Sequence, residues 1–491
     1  MVTSARVAPG TRRFYLLLSL ITLGGLAVRF LYAWRYKWDQ GVWGDAFFYH
    51  YQANGLAEGE GFMRWIPAGE GQVKIEGASA DHPPLFPLYL AAWSLVGLDT
   101  FRQHMVASIL LGAATVFVVG LAGRTIAGDR VGLVAAGIAA VYANLWVHDA
   151  LVMSETITIL LVAVMVLLAY RFWRAPTLGN GAWLGLVSGL GALTRAEVVL
   201  YLPLAFVPLA LLARSLDLRR RIRIIVVAGL TAGLVMAPWV LRNMTAFEHR
   251  LFLSGGAEIT LASANCDITY YGELLGWWSP HCVQDALRED GLHVDQGGPG
   301  FPPGDASEQA RYWREKAFGY IGDHTGRLPV VAMARLGRVW ELYHPGQKVD
   351  FDMIEGRTRG AAQLALAQYY LLVGFAVAGV VVLRRNRIPL LPLLSLVAIV
   401  SLTVLIAFGN TRYRAPAEIA IVLLAAVGVD ALVRRARGEP VVTTGGRPEE
   451  PGDEGPGGEE EQIGVGAGVR PGRLAGVVPD EPERIGPPSS G

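Results

Sequence analysis

Only two cysteines occur among the 491 residues, Cys266 and Cys282, and neither sits in a CxxC pair. With His281 as the one imidazole beside them, they cannot assemble a tetrahedral zinc set. Walker and Rossmann glycine fingerprints are missing too, so a nucleotide donor has no obvious seat. The formal net charge is only +1, which leaves no electrostatic footprint for nucleic acid. No repeat with a period of about 20 to 50 residues is visible, which excludes a solenoid. The two halves also lack the inverted-repeat symmetry common in secondary transporters.

Apolar sequence, by contrast, is abundant. Hydrophobic residues make up 52% of the chain, and apolar runs of about 20 residues recur from Phe14 to Val433, the pattern of an all-α polytopic membrane protein. Arg6, Arg12 and Arg13 precede the first span at 14–34, and no small-residue cleavage site ends it. It therefore reads as a retained signal anchor, with the N-terminal segment 1–13 in the cytoplasm. Further basic clusters lie at 124–130, 171–174, 214–223, 384–387 and 434–437. If all are cytoplasmic, an even number of crossings separates each from the next. The apolar stretch 85–98 would break that count if it crossed. At about 14 residues it covers roughly 21 Å of a hydrocarbon core about 30 Å thick, so it reads as an interfacial or re-entrant helix.

Ten crossings result, the other nine at 104–124, 131–147, 155–173, 180–194, 196–213, 223–241, 361–383, 388–408 and 416–433. The chain then divides into a transmembrane catalytic module at 14–241 containing a first outer loop at 35–84, a large extracytoplasmic loop at 242–360, and C-terminal transmembrane helices at 361–433. A cytoplasmic tail at 434–491 is rich in Gly, Pro and Glu, cannot bury enough apolar surface to fold, and is expected to be disordered.

This topology gathers the unusual polar residues on the outer face. Asp45 follows Gly44 just after the first span, and a carboxylate close to a membrane needs a task or a partner, since insertion to a helix centre costs about 2.5 to 3.5 kcal/mol. Helical phasing places Asp45, Tyr49 and Gln52 on one polar edge of an interfacial amphipathic helix. A helix N-cap would also account for Asp45. His82 precedes Pro83 and Pro84, and Ser154 and Glu155 open a span from outside, where a carboxylate also suits a helix N-terminus.

Arg195, Arg242, Arg412 and Arg414 lie on the side that the positive-inside tendency disfavours. Guanidinium groups there suit bidentate contact with phosphate, although snorkelling, or pairing with Glu197 and Glu418, would also explain them. With 412–414 read as extended, Arg414, nearer the membrane entry at Pro416, and Arg195 are the favoured phosphate ligands. A base beside phosphate-seeking cations fits transfer of a sugar carried on polyprenyl phosphate, with Tyr49 and Glu197 lining the substrate.

Gly44-Asp45, His82-Pro83-Pro84, Ser154-Glu155, Leu193-Thr194-Arg195 and Arg412-Tyr413-Arg414 together resemble the membrane-embedded type C glycosyltransferases. The nearest group is the bacterial relatives of protein O-mannosyltransferases and of the lipid A aminoarabinose transferase. The resemblance spans about 14–433 and is best over the first 200 residues. It implies an inverting hexosyl or pentosyl transfer from a polyprenyl-phosphate-linked sugar, within the plasma membrane lipid, at an extracytoplasmic site. The acceptor would be a hydroxyl or phosphate of an envelope lipid, glycan or protein.

In these terms Asp45 is the catalytic carboxylate and Glu155 the second acid. His82 stands where the aminoarabinose transferase has a phosphate-contacting lysine. Arg195, Arg412 and Arg414 are donor-phosphate ligands. Protein mannosyltransferases carry a Glu beside the first-loop Asp, whereas Ala46 stands here, so the resemblance assigns neither the acceptor nor a metal. A divalent metal stays open, with no ligand named and no other cofactor implied.

Two rival classes handle similar substrates. A lipid-linked sugar flippase is expected to show broken helices and midplane charges. An envelope polysaccharide polymerase would also use outer arginines, but is set apart by the first-loop Asp followed by His-Pro-Pro. Cys266 and Cys282, 16 residues apart in the large outer loop, would form a disulfide worth roughly 3 kcal/mol or remain free thiols. Tyr270, Tyr271, Trp277, Trp278, Trp313, Trp340 and Tyr343 in that loop are interface anchors or sugar-stacking platforms.

Overall fold

A computed structural model of the chain describes residues 9–42, 44–67, 73–292 and 301–441, all within one compact unit. Trp43, most of the N-terminal segment 1–13 and most of the tail expected at 434–491 lie outside the described residues. Among the described residues, six helices are long and apolar enough to cross a membrane: Thr11–Tyr36, Phe101–Ala127, Glu155–Arg174, Leu218–Ala246, Arg359–Arg385 and Thr411–Ala436. The expected span at 131–147 is a broken pair, Asp129–Val141 and Ala143–Leu151, bent by 65°. Tyr142 between them takes an extended ψ of 114° and interrupts the helical ladder.

The remaining three expected crossings correspond to shorter helices. Leu178–Ala192 has 15 residues and Leu391–Ile406 has 16, lengths of about 22 to 24 Å against a core of about 30 Å. Ala196–Leu211 is a composite of 3-10, π and α turns, because Pro203 and Pro208 each remove a backbone donor. Length and apolarity alone thus account for six or seven of the ten crossings. Leu85–Ser94, at 10 residues, is as short as its sequence implied.

The final long helix occupies the centre. Its most apolar window is 83% buried, against 22% for the first helix. Small residues let its neighbour approach: a Cβ on Gly379 would overlap the Leu424 carbonyl oxygen, and one on Gly428 would overlap that of Phe375.

The segment 35–84 is more structured than its sequence suggested. It contains the helix Asp45–Ala57 and an antiparallel pair, β1 (Met63–Pro67) and β2 (Val73–Ala78). The Asp45–Ala57 helix does not turn a polar edge to solvent. Tyr49 and Gln52 are buried, and Gln52 bonds the Gly61 carbonyl and the Met63 amide instead. In the large outer segment, short helices pack against one another, and Cys266 is bonded to Cys282 with a Cα separation of 5.5 Å. Several of its aromatics are core rather than anchors: Tyr270, Trp277 and Trp313 are buried, with Trp277 stacked on Phe351 at 4.1 Å.

Candidate active site

Gly44 begins the site. Its φ of +61° with ψ of −144° lies in a region open essentially to glycine alone, and this turn makes Asp45 the first residue of its helix. Gly44 occupies the N-cap position and no side chain caps this helix, so the capping explanation for Asp45 does not apply. Its carboxylate leaves the helix instead. Oδ2 accepts from Arg412 Nη2 at 2.7 Å, and Oδ1 lies 4.0 Å from His82 Nε2. Burial pushes the Asp45 carboxyl up, but the charges of Arg412 and His82 outweigh it and hold the group below its ordinary value.

His82 is fixed from both sides along the chain. Asp81, one residue before it, makes a two-pronged pair with Arg64 of β1, at 2.6 and 2.9 Å. After the two prolines, the Leu85 amide donates to the Leu193 carbonyl and ties this turn to the segment that carries Arg195. His82 Nδ1 lies 3.3 Å from the Tyr49 hydroxyl, which donates to Ser154 Oγ at 3.0 Å. Tyr49 therefore braces the imidazole.

Arg412 is the hub. Besides Asp45 it donates to Glu155 Oε1 at 2.8 Å and Glu355 Oε2 at 3.1 Å, while Asn410 Nδ2 donates to the other Glu355 oxygen at 2.9 Å. Arg195 donates to Glu155 Oε1 at 2.8 Å and to Glu197 at 2.7 Å, with its guanidinium over the Tyr413 ring. Asp45, Arg412 and Glu355 share one cavity of about 220 Å³. Its remaining wall combines Lys37, Gln40 and Gly41 with the apolar side chains of Phe101, Leu151, Met153, Trp278 and Ile354.

Two expectations need correction. Arg414, the favoured phosphate ligand, is fully buried away from the cavity. It donates to Glu418 at 2.7 Å, Glu341 at 3.2 Å and the Val339 carbonyl at 2.7 Å. Residues 411–414 form a 3-10 turn rather than an extended segment, and the turn sends Arg412, not Arg414, to the cavity. Glu155, expected as a second catalytic acid, is wholly buried and does not line the cavity. Its Oε1 accepts from both Arg412 and Arg195 instead.

Of the other outer residues, Arg242 spends its donors on the Ser79 and Phe62 carbonyls and on Asn243, and Glu197 on Arg195. Sequence reasoning missed Glu355, Lys37 and Gln40. Glu355 is recruited across the fold, and nothing in the local sequence marks Lys37 and Gln40, which follow the first helix.

A divalent metal does not fit this donor set. Asp45, Glu155 and Glu355 all converge on the guanidinium of Arg412, and no group of three or more His, Cys, Asp or Glu among the described residues is arranged to hold an ion. What the site can do is take a proton at Asp45 Oδ1, which accepts no hydrogen bond among the described residues. It does so beside an apolar wall and two cations.

The helical bundle that holds this cavity is similar in fold to a solved membrane oligosaccharyltransferase. Residues 81–241 match the family model described as dolichyl-phosphate-mannose-protein mannosyltransferase. That span holds His82, Glu155 and Arg195 and leaves out Asp45, Glu355 and Arg412. Among solved structures, the chain is similar to the archaeal oligosaccharyltransferase AglB from Archaeoglobus fulgidus, in complex with an inhibitory peptide and a dolichol-phosphate. The identity is 14%, the TM-score 0.51, and the match covers 88% of this chain and 52% of that one. The chain thus spans about half the length of this oligosaccharyltransferase. ArnT from Cupriavidus metallidurans, bound to undecaprenyl phosphate, is matched at 14% identity and a TM-score of 0.39, over 87% of this chain and 79% of that one. No curated protein matches the chain in sequence.

Proposed function

We propose that this protein transfers a sugar from a polyprenyl-phosphate-linked donor to an acceptor hydroxyl on the extracytoplasmic face of the plasma membrane, with inversion at the anomeric carbon. Asp45 is the general base. The acceptor oxygen sits between Asp45 Oδ1 and His82 Nε2, whose 4.0 Å separation leaves both within hydrogen-bond reach of one hydroxyl. As the proton passes to Oδ1, the oxygen forms its bond to the anomeric carbon. The bond from that carbon to the donor phosphate breaks, and its electron pair leaves on polyprenyl phosphate. The apolar wall suits a lipid substrate, and positive charge at the cavity stabilises the leaving phosphate.

The observation that carries this reading is Asp45 itself: one oxygen is held by Arg412, and the other accepts no hydrogen bond among the described residues and lies 4.0 Å from His82 at a cavity with an apolar wall. The family matched at 81–241 is described by a dolichyl-phosphate-linked sugar, and AglB was captured with a dolichol-phosphate, the same donor chemistry. The test is release of radiolabelled sugar from a polyprenyl-phosphate donor by the purified protein. Movement of the donor between leaflets without cleavage would sink the proposal in favour of a flippase.

A further inference from the structure

Two cations line the cavity, and they are not equivalent. Arg412 is encircled by Asp45, Glu155 and Glu355, so its charge is already more than matched. Lys37, just beyond the first helix, is 3% exposed and makes no ion pair among the described residues. Its natural neighbour Asp39 is taken by Arg102 at 2.5 Å. Two of the three ammonium donors are used, on the Gly356 carbonyl at 2.5 Å and on Gln40 Oε1 at 3.0 Å. A buried charge without a counter-ion is costly, and Lys37 is one of the residues that line the cavity. Burial alone lowers the Lys37 ammonium from its ordinary value, a shift that an incoming anion would reverse.

We propose that Lys37, with the Gln40 amide beside it, binds the phosphate of the lipid-linked donor, while Arg412 is kept by its three carboxylates for orienting Asp45. The proposal rests on the donor reading above and assigns its headgroup subsite. It sets an acceptor side at Asp45, next to His82, apart from a donor side at Lys37. The competing role for Lys37 is to tether the end of the first helix to Gly356, which any neutral donor could also do.

The test is retention of a radiolabelled long-chain polyprenyl phosphate, and of the matching uncharged polyprenol, by the purified full chain. The readout is the ratio of the two affinities within each variant, so partial unfolding does not imitate the effect. The wild type should prefer the phosphate. Lys37→Gln, which keeps a donor for Gly356, should reduce that preference about tenfold or more, and Lys37→Arg should keep most of it. An unchanged ratio in Lys37→Gln overturns the assignment of Lys37 and leaves the donor reading standing. A wild type that retains no polyprenyl phosphate overturns both. Inorganic phosphate displacing the lipid at equal concentration overturns the lipid headgroup as the source of the anion.

Discussion

Arg412 and Arg414 lie two residues apart in one 3-10 turn, and each is met by carboxylates, yet their surroundings put them to opposite uses. Arg412 gathers Asp45, Glu155 and Glu355 from three distant segments and keeps 20% of its side chain exposed at the cavity. Arg414 is closed off entirely, with Glu418 and Glu341 as partners and its guanidinium 3.8 Å above the Tyr369 ring. Burial pushes the Glu341 carboxyl up to about 7, against the pull of Arg414. The same residue type therefore gathers carboxylates at a cavity in one place and holds helices together in the other.

The difference is sharpest at Asp45. Asp45→Asn keeps the geometry but removes the base, and should lower the turnover number by about 10²- to 10⁴-fold with donor retention unchanged. Normal turnover in a folded Asp45→Asn protein would reduce the cavity cluster to a structural one. On the other side, Arg414→Ala strands Glu418 in the bundle and should destabilise the fold by about 3 to 5 kcal/mol, read as thermal unfolding in detergent. Arg414→Lys should leave polyprenyl-phosphate affinity untouched, and a weakened affinity there would restore the expectation that Arg414 is a phosphate ligand.

Arg412→Gln probes how the cavity cluster works. Because Arg412, against the effect of burial, holds the Asp45 carboxyl below its ordinary value, the acid limb of the proposed base is expected below the ordinary aspartate range. Removing the guanidinium should move that limb upward. A limb that does not move would mean that the titration of another group limits the rate.

The smallest effect is expected at Glu341. A carboxyl whose folded value is raised to about 7 binds more protons folded than unfolded between the ordinary glutamate value and 7, so its contribution to stability declines as pH rises through that window and is flat above it. Glu341→Gln should flatten this slope in the melting temperature between about pH 5 and 8. An undiminished slope would place the titration elsewhere.

Much of this architecture is legible without coordinates. Apolar run length alone marks the membrane class and the short helix at Leu85–Ser94, because bilayer thickness sets a minimum length that local sequence either meets or misses. Gly44-Asp45 and His82-Pro83-Pro84 stand out for a similar reason: a positive φ, a pre-proline restriction and a costly carboxylate are properties of neighbouring residues. Tertiary structure alone decided that Asp45 is no cap, that Glu155 is sealed from the cavity, that Arg412 rather than Arg414 faces it, and that Glu355 and Lys37 join them. These outcomes depend on pairs 257 and 367 residues apart and on whether a short segment is extended or a 3-10 turn. The direction of a charged side chain near a membrane is set by which partners the rest of the fold brings within reach. Local sequence does not contain that information.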